Sequence, residues 1–126
     1  MKRVIGIGGI FFKAKNPKKL AAWYREHLGL PIDKSFGGYV FDWKDSDQRP
    51  QKGYSIWSPF DEDTTYMNPS AKDFMFNFIV DDLEALLKIL VEEGINQIGT
   101  MEDSEFGKFA WVLDPENNKV ELWEPK

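Results

Sequence analysis

The closing segment of the chain rhymes with a segment in its middle. Ser55-Ile56-Trp57-Ser58-Pro59 recurs as Glu121-Leu122-Trp123-Glu124-Pro125 at an offset of 66 residues. The same offset carries Asn16 to Asp82 and Leu20 to Leu86, so that Asn16-Pro17-Lys18-Lys19-Leu20 overlies Asp82-Leu83-Glu84-Ala85-Leu86. One spacing thus aligns a helix start and a closing strand, the mark of a chain assembled from two copies of one supersecondary unit. Within 126 residues, two copies of roughly 60 residues leave no room for a second domain. We read a single domain over 1–126, with module 1 over about 1–59, a linker over about 60–72 and module 2 over about 73–126. Equivalent positions of the two copies are then expected to line one shared site.

Each copy spells the same order of elements. Residues 3–12 are rich in Val, Ile and Phe but broken by glycines, which suits a buried strand approached closely by another backbone or a ligand. Asn16 then offers a helix N-cap, and Pro17 stands where a missing N–H costs nothing. Leu20, Trp23, Tyr24 and Leu28 fall on one helical face, and Gly29 closes the helix. Residues 38–43 and 53–57 read as strands, and a further short strand is expected near 32–35. The second copy opens with a strand over 74–80. Asp82 caps a helix whose stripe is Leu83, Leu86, Leu87 and Leu90, and Gly94 stops it. Strands near 95–101, 108–113 and 119–123 follow, the last two joined by the turn formers Asp114-Pro115-Glu116-Asn117-Asn118. Both copies read β-α-β-β-β, an α+β fold in which a curved mixed sheet surrounds a cavity and the helices lie outside.

Composition removes several function classes. The net charge is −5 with no concentrated run of Lys and Arg, which argues against nucleic acid and anionic membrane as partners. There is no cysteine, so disulfides, thiolate nucleophiles and Cys-ligated metals are excluded. No apolar run approaches the ~20 residues of a membrane span, and the glycine-broken N-terminus lacks a small-residue cleavage site. A cytoplasmic location is the expectation. Aromatic residues reach 15%, a fraction that can fill a small core or line a pocket.

The run Trp23-Tyr24-Arg25-Glu26-His27-Leu28-Gly29-Leu30-Pro31, the strand-to-cap segment Val80-Asp81-Asp82-Leu83, and the closing Asp114-Pro115-Glu116-Asn117-Asn118-Lys119-Val120-Glu121-Leu122 together resemble the vicinal oxygen chelate superfamily. That group includes glyoxalase I, extradiol dioxygenases and the bleomycin and fosfomycin resistance proteins. The resemblance spans the whole chain and implies the fold; it does not by itself imply a reaction. In metal-binding members, four ligands, mostly His, Gln and Glu, come from equivalent strand positions of the two copies. Counting from the helix caps, the resemblance places them at Gly9, Met75, Ser55 and Glu121, two pairs with the repeat offset. Gly9 has no side chain, Met75 offers a soft thioether and Ser55 a neutral hydroxyl, so only Glu121 is a competent ligand. One carboxylate does not hold a catalytic divalent ion, and no metal or other cofactor is expected. The single histidine, His27, lies in the last turn of the first helix, where a structural role is expected.

Strand alternation widens the four positions into a cavity face. Ile7, Phe11 and Lys13 join Gly9, Trp57 joins Ser55, Asn77 and Ile79 join Met75, and Lys119 and Trp123 join Glu121. Phe74, Phe76, Phe78 and Val80, with Val120 and Leu122, then back onto the helices. The expected ligand-binding set is Phe11, Ser55, Trp57, Met75, Asn77, Glu121 and Trp123, with Glu121 the best candidate for any catalytic role. An inward carboxylate must reach water, find a donor, or stay protonated. Glu121 is open to three readings: acceptor for a cationic ligand, general base, or ion-pair partner of Lys119.

The leading expectation is a metal-independent binder of a small aromatic or planar molecule, with a homodimer implied by the resemblance, since in resistance-type relatives two chains swap copies to build two pockets. The alternative is a metal-dependent lyase, isomerase or dioxygenase that uses one divalent metal, with Glu121 and substitutes such as Asp42, Glu102, Asp103 or Glu105 as ligands. A third reading is an interaction module whose pocket is filled by its own side chains.

Overall fold

The structure is a computed structural model and describes residues 14–39 and 62–126. Helix α1 runs Pro17–Leu28; the second half contains strand β1 (Phe76–Ile79), helix α2 (Leu83–Glu92), and strands β2 (Gln97–Ser104), β3 (Gly107–Leu113) and β4 (Lys119–Pro125). Module 2 is therefore β-α-β-β-β. The expected strands over 3–12, 38–43 and 53–57 lie wholly or mostly outside the described residues.

The two helices begin by the same device. The Asn16 side chain accepts from the Lys19 backbone N–H at 3.1 Å, and the Asp82 side chain accepts from the Ala85 N–H at 3.0 Å. Each satisfies one of the orphan donors of a first helical turn. The α2 N-terminus gains a second acceptor, because Glu124 at the end of β4 takes the Leu83 N–H at 2.8 Å, a favourable place for negative charge. Gly29 ends α1 in the left-handed conformation at φ 68. The helices also meet at their far ends, where His27 Nδ1 lies 2.7 Å from Glu93 Oε2 across 66 residues of chain. That is the repeat offset again, and it ties His27 to the helix pair.

The four strands form one sheet in the order β1-β4-β3-β2. β4 returns to lie parallel to β1, while β4 with β3 and β3 with β2 are antiparallel. Alternate residues face the helices, and the core they build joins Leu20 and Tyr24 of α1, Leu83, Leu87 and Leu90 of α2, Ala110 and Val112 of β3, and Val120 and Leu122 of β4. Phe78 and Val80 pack against it. Leu83, Leu90, Leu122, Val112 and Val120 are fully enclosed, each contributing about 1.5–3 kcal/mol of burial.

One element differs from expectation. Residues 32–35 do not form a strand; Asp33 and Gly38 make a single bridge around a tight turn. The Asp33 carboxylate accepts from the Ser35 backbone and hydroxyl at 2.8 and 2.7 Å, so the local side-chain bonds of Asp and Ser win over strand pairing.

Tyr24 and Asp114, far apart in sequence, prove to be two ends of one joint. The Tyr24 hydroxyl donates to Asp114 Oδ2 at 2.8 Å in a buried setting. The same carboxylate accepts from the backbone N–H of Glu116 and Asn118 and from the Asn118 amide at 2.7–2.9 Å. Asp114 thus shapes the β3–β4 turn and pins α1 to it. At the other hairpin, Gly107 sits at φ 118, and a Cβ there would collide with the Glu124 carbonyl oxygen; only glycine permits this approach of β3 to β4.

Candidate functional site

The sheet face turned away from the helices carries a row of side chains set by register. Glu121 at the centre of β4 pairs with Asn77 on β1 and with Trp111 on β3, so all three project from one face as direct neighbours. The Asn77 amide donates to Glu121 Oε1 at 2.7 Å, and the Trp111 indole N–H donates to Oε2 at 2.7 Å. A third donor comes from outside the sheet. The Tyr66 hydroxyl, carried on the turns of residues 62–69, donates to Oε2 at 2.5 Å. Of the three fates open to an inward carboxylate, this one has found donors. Among the described residues, Oε2 takes two donors and Oε1 one.

Lys119, two residues before Glu121 on the same face, does not pair with it. Its Nζ donates to the Tyr66 backbone carbonyl at 2.5 Å and lies 5.1 and 5.4 Å from the ring centroids of Tyr66 and Trp111, within cation–π range. Glu121, Lys119 and Trp111 are only 7–8% exposed. Burial pushes the Lys119 ammonium below its usual pKa, against the pull of Glu121 and Glu102. Further along the row, Trp123 stacks on Phe109 at 5.9 Å and 8° between planes, and its N–H donates to the Phe106 carbonyl at 2.8 Å. The Tyr66 ring meets Trp111 edge-on at 6.2 Å.

Two phenols of the structure are held protonated. Tyr24 and Tyr66 both lie well above the ordinary tyrosine value of 10.0, each chiefly through burial and then through its carboxylate neighbour, Asp114 or Glu121. A raised folded pKa means that the stability these groups contribute is complete below the unfolded value and is lost as pH rises beyond it. Unfolding free energy is therefore expected to fall above pH ~10, with a shallower fall in Tyr24→Phe. Denaturant titrations across that range check this; identical alkaline slopes in the two proteins would contradict it.

The sequence profile of the glyoxalase-like domain matches residues 9–123. The chain belongs to that family. It is a member of the vicinal oxygen chelate superfamily, and solved structures agree on the fold. A conserved domain protein aligns over 97% of this chain and 100% of its own with TM-score 0.64 at 15% identity. A glyoxalase/bleomycin resistance protein/dioxygenase superfamily member from Sphaerobacter thermophilus DSM 20745 aligns over 88% of this chain and 90% of its own, with TM-score 0.50 at 18% identity. TnmS3, an antibiotic binding protein from Streptomyces sp. CB03234, aligns at 25% identity and TM-score 0.39 over 43% of this chain and 45% of its own, less than half of its length. Comparison with curated proteins gives no significant match.

Within this glyoxalase-like domain, the described part of the expected site gathers around β4. Asn77 contacts Glu121 directly, Trp123 lies two residues along the same strand, and Met75 is half-buried just ahead of β1. Phe11, Ser55 and Trp57 lie outside the described residues, as do Gly9 and Asp42. Tyr66 and Trp111 were not among the expected site residues. The signal for Trp111 was present, since a hairpin closed around 114–118 places it opposite Glu121. Tyr66 had no comparable signal, because it sits in the polar linker.

The described groups around Glu121 are not those that hold a divalent cation. Its carboxylate already accepts three hydrogen bonds from neutral donors, its neighbours are an amide, an indole and a phenol, and an ammonium stands beside it. Among the described residues no three His, Cys, Asp or Glu side chains come together as a metal group. Glu102 pairs opposite Phe109, and Glu102, Asp103 and Glu105 are all exposed toward the β2–β3 end. Among the described residues, no helix is long and apolar enough to cross a membrane.

Proposed function

We propose that this glyoxalase-like domain binds a small aromatic or planar molecule without a metal ion. The observation that carries the reading is the Glu121 hub, a carboxylate fixed by Tyr66, Asn77 and Trp111 on a face walled by Trp111, Phe109 and Trp123. A few convergent polar groups on an aromatic wall are the make-up of a small-molecule site. The hub fixes one acceptor in place to orient a ligand whose ring stacks on the wall. A homodimer and a cytoplasmic location go with this reading as parts of the same proposal.

The test is a titration of chelator-treated protein with planar aromatic compounds, read by tryptophan quenching and by thermal shift. Saturable binding is expected. Glu121→Gln should weaken it at least about tenfold, because a neutral amide replaces a charged acceptor, while the melting temperature falls by only about 4 °C and the protein stays folded. Unchanged affinity in that variant would remove Glu121 from the site. Absence of binding to any planar compound would overturn the proposal.

A further inference from the structure

Tyr66 touches the site at both ends of one residue. Its hydroxyl donates to Glu121, its backbone carbonyl accepts from Lys119, and its ring stands edge-on to Trp111. The segment that carries it is built from local turns, with Tyr66 N–H on the Thr64 hydroxyl at 3.2 Å, Asn68 N–H on Thr65 and Ser70 N–H on Met67. These bonds lie within the segment itself, and none of them is a strand pairing. The residue is 40% exposed, so it is not sealed in the core. If Tyr66 left, Glu121 would regain a free acceptor at the edge of the Trp111 ring and Lys119, over that ring, would lose its carbonyl partner, the two one tyrosyl residue apart.

We infer that Tyr66 occupies this subsite as a built-in stand-in for the ligand, and that the ligand is a phenol bearing a carbonyl or carboxylate. Its hydroxyl would donate to Glu121, its carbonyl oxygen would accept from Lys119, and its ring would take the place of the Tyr66 ring against Trp111. This deepens the proposed aromatic-binding function and rests on it. It adds that the protein holds its own competitor, so the apparent affinity is reduced by the fraction of molecules in which Tyr66 is seated. Tyr66 is then a specificity-setting residue: a ligand gains entry by matching both of its polar contacts, and a plain hydrocarbon ring, leaving Glu121 and Lys119 with unmet partners, does not.

The experiment is calorimetric titration of the full, chelator-treated chain with three probes. These are N-acetyl-tyrosinamide, which has both the hydroxyl and the carbonyl, N-acetyl-phenylalaninamide, which lacks the hydroxyl, and p-cresol, which lacks the carbonyl. Tyr66→Phe keeps the ring and loses the bond to Glu121, so it should bind N-acetyl-tyrosinamide about tenfold tighter than wild type, with the same fold gain for N-acetyl-phenylalaninamide from a weaker starting affinity. Tyr66→Ala should bind it at least as tightly as Tyr66→Phe. Lys119→Met should erase the advantage of N-acetyl-tyrosinamide over p-cresol. Equal affinity in wild type and both Tyr66 variants, or tightest binding in wild type, would overturn the inference by making Tyr66 a fixed wall. If planar aromatics bind wild type while Tyr66 substitutions change nothing, the proposed function stands and this inference fails. If no aromatic binds any of the proteins, both fail.

Discussion

Glu121→Leu is expected to destabilise the folded state by about 4 kcal/mol, whereas Glu121→Gln costs about 1 kcal/mol. Leucine fills similar space but accepts nothing. The buried Trp111 indole N–H and the part-buried Asn77 amide and Tyr66 hydroxyl would then face an apolar side chain, and a buried donor left unmet costs about 1–3 kcal/mol, a part-buried one less. Lys119 would also lose the nearby negative charge that supports its ammonium. Glutamine escapes most of this. Its carbonyl can take the two donors now on Oε2, and its amide can face Asn77 if the Asn77 side chain turns over to present its oxygen. Denaturant unfolding followed by tryptophan fluorescence separates the two. Equal losses, or a larger loss for glutamine, would contradict the account of Glu121 as a hydrogen-bond hub.

Asp114→Ala should cost about 3 kcal/mol or more. The substitution strips the acceptor from the Tyr24 hydroxyl, the Asn118 amide, and the backbone N–H groups of Glu116 and Asn118 at once. Tyr24→Phe removes only one end of the joint and should cost about 1 kcal/mol, since it takes away donor and phenol together while Asp114 keeps its other three bonds. The two should not be additive, because they share one network. A double-mutant cycle on unfolding free energy checks this, and strict additivity would contradict a direct Tyr24–Asp114 coupling.

Much of this structure could be read from the chain because local rules and the repeat pointed the same way. Asn16 and Asp82 sit one offset apart and cap their helices through the same bond, and strand alternation placed Val120 and Leu122 against the helices with Glu121 on the other face. The offset also held a pairing that periodicity alone does not show, since His27 and Glu93 meet only when α1 and α2 lie side by side. Residues 32–35 were misread because Asp33 and Ser35 satisfy one another locally, an option that a hydrophobicity pattern does not register.

The site was less legible. Asn77, Glu121 and Trp123 follow from parity on single strands. Trp111 needed the β3–β4 register as well, and that register was available in the turn Asp114-Pro115-Glu116-Asn117-Asn118. Tyr66 needed the path of a connecting segment, which no period encodes; its reach to Glu121 and Lys119 is a product of tertiary structure. Of the three readings open for Glu121, the ion pair with Lys119 is not formed, because the Tyr66 carbonyl takes the ammonium instead.

The most direct test of metal-free recognition is the metal content of the purified protein, joined to a thermal-shift titration of the chelator-stripped protein with Zn, Ni, Mn and Fe(II). The account predicts substoichiometric metal, no saturable stabilisation by any of the four ions, and aromatic binding that survives chelation. Stoichiometric metal, with a saturable stabilisation that Glu121→Gln abolishes, would contradict it and make Glu121 a ligand of a metal-dependent enzyme.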